Sequence, residues 1–166
     1  MNDRVLNVLF LCTGNSARSV MAEALLDVLG EGRFRAFSAG SQPTGRVQPL
    51  AAELAGKLGF DTAQLRSKSW DEFDGADAPA MDLIITVCDN AAGESCPFWP
   101  GQPVTAHWGV FDPAAVEGEE RERRRAFVDA FNVLRRRVEL LVALPLEKLD
   151  QLTLQAHARD IGIQGA

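Results

Sequence analysis

Alternating strands and helices predict an α/β fold: one three-layer domain on a central parallel sheet of about four strands, plus a C-terminal helical extension. Two observations lead there. Near-continuous apolar runs at Val5–Leu11 and Met81–Val87 suit strands covered on both faces. Apolar residues at helical spacing lie between the strand runs, so βαβ crossovers rather than hairpins connect them. The chain length of 166 residues fits one such domain. A domain near this size buries about 68–70% of its unfolded surface and needs neither metal nor disulfide to hold it.

The elements follow in order. Val5, Leu6, Val8, Leu9, Phe10 and Leu11 form the first strand, which runs into Cys12-Thr13-Gly14-Asn15-Ser16-Ala17-Arg18-Ser19. Met21, Ala24, Leu25, Val28 and Leu29 then recur at helical spacing until Gly30 and Gly32. A short strand at about Phe34–Ser38 closes at Ala39-Gly40. Leu50, Leu54 and Leu58 line a second helix that stops at Gly59. Met81–Val87 is the second strong strand and ends at Cys88, and Val104–Ala106 is a brief one. Phe127, Phe131, Leu134, Val138 and Leu141 mark one face of a long helix, which Leu144-Pro145 interrupts. Leu146, Leu149, Leu152 and Leu154 suggest a last helix, so the chain divides into a domain at 1–144 and an extension at 145–166.

Composition excludes several functions. Apolar residues make up 46% and charged residues 24%, with a net charge of −6, which argues against nucleic acid or an anionic membrane as partner. The longest apolar stretch is far short of a membrane span, and the first residues do not read as a secretory signal. Three cysteines, an odd number, point to reduced thiols in the cytoplasm. Arg121, Arg123, Arg124 and Arg125 alternate with glutamates, and both this cluster and Arg135–Arg137 read as solvated helix faces.

The segment from Cys12 to Ser19 carries the chemistry. Between a strand and a helix, the backbone N–H groups of Thr13, Gly14, Asn15, Ser16, Ala17, Arg18 and Ser19 form a concave receptor for a tetrahedral oxyanion. Gly14 is expected to supply backbone freedom, and Asn15 to accept a left-handed conformation. Arg18 can grip two oxygens in a bidentate fork. The same field favours a Cys12 thiolate at neutral pH, with Ser19 donating to it, ready to attack the bound anion. A chance glycine turn after a buried cysteine is the bland alternative. A nucleotide-binding loop fits worse, since no Gly-Lys-Ser/Thr is present.

Cys88 ends the other strong strand. If the two strands are neighbours, Cys12 and Cys88 open onto one crevice at the C-terminal edge of the sheet. Cys96 follows in a loop containing Gly and Pro, where backbone movement is plausible. Inert packing remains an alternative for Cys88. A zinc site from Cys88, Cys96 and His107 lacks paired short chelates, so no metal is expected. Asp112 precedes Pro113 and by residue type alone reads as a turn residue.

CTGNSARS with the downstream Asp112-Pro113 resembles the low-molecular-weight tyrosine phosphatase superfamily, and adding VCDNAAGESCP and HWGVFDPA makes it similar to the arsenate reductase branch. The resemblance covers about residues 5–143. It implies a phosphatase-like fold and reduction of arsenate to arsenite, a step in arsenic resistance, with phosphate or sulfate as substrate mimics. It also implies the roles: arsenate bonds to Cys12, Cys88 attacks that sulfur, and Cys96 resolves the Cys12–Cys88 disulfide as Cys88–Cys96. Asp112 would be the general acid. No bound cofactor is implied. The reductant is external, thioredoxin or glutaredoxin with glutathione.

Cys96 lies eight positions after Cys88, one more than is usual in resembling enzymes, which leaves the reductant open. Ala114-Ala115 stand where phosphatases of the family carry aromatics, and the chain has no tyrosine. A small inorganic oxyanion therefore fits better than phosphotyrosine. Hydrolysis of phosphomonoesters through Cys12 is the alternative activity, and an oxyanion-binding redox sensor is the non-enzymatic one. Asn15, Glu23 and Ser38 match positions of a potassium site found in some family reductases. The matching carboxylate position falls near Trp70, between Lys68 and Asp71, so that ion is not expected.

Overall fold

The computed structural model describes residues 5–75, 77–88, 103–146 and 150–164, with the backbone alone at 152 and 164. Four strands, β1 (Leu6–Leu11), β2 (Phe34–Ala39), β3 (Leu83–Thr86) and β4 (Val104–His107), form one sheet in the order β2-β1-β3-β4. Every pairing is parallel. The described helices are α1 (Arg18–Leu29), α2 (Pro49–Lys57), α3 (Glu120–Val142) and α4 (Gln151–Gln164). None of the described helices is long and apolar enough to cross a membrane.

The apolar run of β1 is continuous because both faces are covered. Val8 and Phe10 point into a core with Met21 and Leu25 of α1 and Phe127, Leu134 and Val138 of α3. Leu9 and Leu11 point the other way, onto Phe73, Met81 and Ile84. That alternation is the two-residue period of a strand. α2 starts with Pro49 at its first turn, where the missing N–H costs nothing. It ends at Gly59, whose φ of +91° suits glycine.

The long helix α3 is amphipathic, but its basic residues divide. Arg135 and Arg136 are exposed, whereas Arg137 is only 1% exposed. This corrects the reading of Arg135–Arg137 as a solvated face. Position 137 falls three residues after Leu134 and four before Leu141, on the buried stripe. Its guanidinium reaches two carbonyls, Gly109 at 2.9 Å and Gly162 at 3.4 Å.

Beyond the interruption at Pro145, α4 packs along β4, an outer strand of the sheet. Ala158 and Ile161 enter the main core. The Trp108 indole N–H donates to the Ala158 carbonyl at 2.9 Å, and the Arg159 guanidinium donates to Thr105 at 3.3 Å.

Candidate active site

The anion loop begins where β1 ends. The Cys12 N–H still bonds the Ala39 carbonyl at 3.2 Å, and the chain then turns through Thr13–Ala17 into α1. The turn is made by Asn15, at φ +45°. Its amide is fixed at both ends, donating to Ser19 Oγ at 2.8 Å and accepting from the Lys68 N–H at 2.8 Å. Asn15 takes the left-handed position as expected, and Gly14 has no positive φ. The glycine that the loop requires is Gly40. A Cβ there would stand 2.4 Å from the Thr13 oxygen and 2.6 Å from that of Cys12.

A strap of residues 40–48 decides which way the loop peptides face. The Gln42, Thr44 and Gln48 N–H groups donate to the carbonyls of Thr13 (2.9 Å), Gly14 (3.1 Å) and Ser16 (2.8 Å). Ser67 Oγ gives Gly14 a second donor at 3.1 Å. With those oxygens committed to the strap, the antiparallel N–H groups of Gly14, Asn15 and Ala17 turn towards the concavity at Cys12.

Strand register brings two thiols together. Leu11 pairs with Thr86, so Cys12 and Cys88 leave neighbouring strands at one edge. The Thr13 N–H donates to Cys88 Sγ at 3.3 Å, and both thiols are buried. The neighbouring Cys88 sulfur, then burial, push the Cys12 thiol up, while the Arg18 charge and the Gly14 N–H pull it down. In this geometry the upward causes win, which departs from the expected standing thiolate. The expected Ser19–Cys12 hydrogen bond is also absent among the described residues. Cys96 lies outside them.

Arg18 is the first residue of α1. Its Nη1 donates to the Val110 carbonyl at 2.8 Å, and its Nη2 lies 3.7 Å from Asp112 Oδ2. Asp112 also caps the 3-10 turn Pro113–Ala115, accepting from the Ala114 N–H at 3.0 Å. Turn residue and overhanging carboxylate are thus one and the same side chain. The stem before it follows β3: the Trp108 N–H bonds Thr86 O at 2.7 Å, and the Val110 N–H bonds Val87 O at 3.0 Å.

Behind Asn15 lies a buried polar cluster. The Ser38 hydroxyl donates to Glu23, and Lys68 Nζ stands 3.8 Å from the same carboxylate. Burial raises Glu23 against the pull of Lys68 and Ser38, and burial lowers Lys68 against the pull of Glu23. Beside Glu23 and Ser38, two of the ligand positions that the resemblance gives, an ammonium already stands. These residues do not fit a potassium ion. Sequence reasoning missed Gly40 and Lys68 as supports of the loop, since each acts through a contact distant along the chain.

The family model described as low molecular weight phosphotyrosine protein phosphatase matches residues 7–153. The chain belongs to this family. Its relatives include the arsenate reductase of Halalkalibacterium halodurans, 38% identical over 128 residues, covering 76% of this chain and 86% of the relative. The arsenate reductase of Bacillus subtilis is 35% identical over 116 residues, covering 70% and 80%. Among solved structures, the phosphatase-family fold recurs in the arsenate reductase of Archaeoglobus fulgidus, at 31% identity and TM-score 0.58, covering 80% of this chain and 98% of that one. An arsenate reductase in its phosphate-binding state gives TM-score 0.63 at 27% identity, covering 84% and 98%.

Proposed function

We propose that this chain reduces arsenate to arsenite through Cys12, Cys88 and Cys96. The observation that carries the reading is the pair of buried thiols at adjoining strand ends, with the Gly14 N–H on Cys12 and the Thr13 N–H on Cys88. Arsenate sits in the loop, held by those N–H groups and by Arg18. Cys12 sulfur attacks arsenic, and an arsenate oxygen leaves as water with a proton from Asp112. Cys88 then attacks the Cys12 sulfur. The S–As bond breaks, its electron pair stays on arsenic, and As(V) becomes As(III) as two thiols become a disulfide.

The Cys12 proton and an arsenate hydroxyl leave together as water, with Asp112 passing the proton across. Cys96 would next attack Cys88, freeing Cys12, and an external dithiol would reopen Cys88–Cys96. Thioredoxin or a glutaredoxin–glutathione system fits that role, in the reducing cytoplasm. A solved relative in its phosphate-binding state supports a tetrahedral oxyanion as ligand.

The test is a coupled assay of arsenate-dependent NADPH oxidation, run with thioredoxin and thioredoxin reductase, then with glutaredoxin, glutathione and its reductase. Turnover should appear with one system and vanish in Cys12→Ser, Cys88→Ser and Cys96→Ser. No turnover with either system would overturn the proposal. The family match also favours a second reading, hydrolysis of phosphomonoesters through a Cys12 phosphocysteine. Weak aryl phosphatase activity that survives Cys88→Ser fits a reductase with residual phosphatase chemistry. Strong phosphatase turnover with no arsenate reduction would favour the second reading.

A further inference from the structure

The C-terminal helix α4 lies almost wholly beyond the family match, which ends at residue 153. It is tied to the stem of the Asp112 loop as well as to the outer strand β4. Trp108, fully buried, donates its indole N–H to Ala158. Arg137 bridges Gly109 in the stem and Gly162 in the helix. Close packing completes the joint: a Cβ on Gly162 would stand 2.2 Å from the His107 oxygen and 2.9 Å from the Trp108 ring.

Arg137 is an expensive tie. A permanently charged guanidinium is buried, its Nε without an acceptor and no carboxylate paired with it among the described residues. Aliphatic side chains would fill that space without the desolvation cost, but could not fix two carbonyls on two segments at once. The stem so fixed carries Val110, whose carbonyl holds Arg18, and Asp112 follows two residues later.

We propose that α4, acting through Trp108 and Arg137, positions Arg18 and Asp112 over the Cys12 loop. The inference rests on the reading of Arg18 and Asp112 given under Proposed function. Among the described residues no hydrogen bond or ion pair joins Trp108 or Arg137 to Cys12 or Asp112; both act through the stem, so they are positioning residues. An acid displaced by about an ångström loses up to roughly 100-fold in rate, and the loss concentrates on substrates whose leaving oxygen needs a proton.

The full-length chain is assayed on phenyl phosphate and p-nitrophenyl phosphate, as Trp108→Phe, Arg137→Met, Arg137→Lys, Asp112→Asn and Trp108→Phe/Asp112→Asn. Trp108→Phe and Arg137→Met should lower kcat on phenyl phosphate by about 10- to 100-fold, and clearly less on the p-nitrophenyl ester. Arg137→Lys should restore part of the loss. Adding Trp108→Phe to Asp112→Asn should cost nothing further, because both changes remove the same function. Equal losses on the two esters, or an additive double variant, would overturn the proposal. Should Asp112→Asn change nothing on the esters, or on arsenate-dependent NADPH oxidation where neither ester turns over, the reading of Asp112 as the acid fails instead. Hydrogen exchange then decides the positioning claim. Trp108→Phe must speed exchange at the Val110 and Ala114 amides relative to Leu9, and unchanged rates there overturn it.

Discussion

One wall of the Cys12 loop is tied mainly by main chain, whereas the other adds side-chain ties to its backbone bonds with β3. On the strap side, three peptide N–H groups of residues 42–48 reach three loop carbonyls, and Gly40 lets the backbones touch. On the acid side, Arg18, Arg137 and Trp108 reach carbonyls with long or bulky groups. Backbone ties hold the nucleophile and its N–H receptor in one shape. Side-chain ties, added to the stem's own backbone bonds, set where the acid lies. The sulfur must stay in register with Cys88 throughout, whereas the acid must only arrive when an oxygen leaves.

The contrast is broken most severely at Gly40. Gly40→Ala drives a methyl group into two loop carbonyls, so phosphate binding and arsenate turnover should fall together by about 100-fold. Stability should drop by about 1–3 kcal/mol through overpacking. Phosphate titration and thermal denaturation measure the two effects, and an anion affinity unchanged by the substitution would refute the role of the strap.

Glu23 and Lys68 sharpen it through pH. Burial raises Glu23 in the folded state, so its contribution to stability is complete below its ordinary value of 4.5 and is lost as pH rises through the folded value. Burial lowers Lys68, so its contribution is complete above 10.5 and is lost as pH falls through its folded value. Denaturation of the wild type against Glu23→Gln/Lys68→Met should therefore show a difference smallest near neutrality and growing in the wild type's favour towards both ends. A monotonic difference would contradict the pairing.

The smallest effect is expected at the exposed Arg66–Glu72 pair, 2.8 Å apart next to Ser67 and Lys68. Glu72→Gln should cost about 0–1 kcal/mol and fade with added salt. A larger loss in urea denaturation would mean that this pair helps to hold the strap.

Legibility in the sequence follows the range of each interaction. β1 and β3 were readable because both faces are covered, so residues 8–11 and 83–85 run apolar without a break. The Cys12–Cys88 meeting was readable because parallel strands end at one edge. Gly40 was not, since its neighbours at Thr13 and Cys12 come from another strand. The left-handed conformation expected of Asn15 is the one found, and its side-chain bonds to Ser19 and Lys68 hold it there. Arg137 was hidden by its flanking arginines, although its spacing from Leu134 and Leu141 marked the inward stripe. Protonation of Cys12 was the least legible feature, because it depends on which group faces the sulfur.

Arg159 on the Thr105 carbonyl gives α4 a second effect, on the company the molecule keeps. An outer strand with open carbonyls invites another chain to extend the sheet, the usual beginning of unwanted association. With a helix laid along β4 and a cation fastened to its backbone, that border is shut. Removing the helix would thus leave a template for stacking as well as a loosened acid.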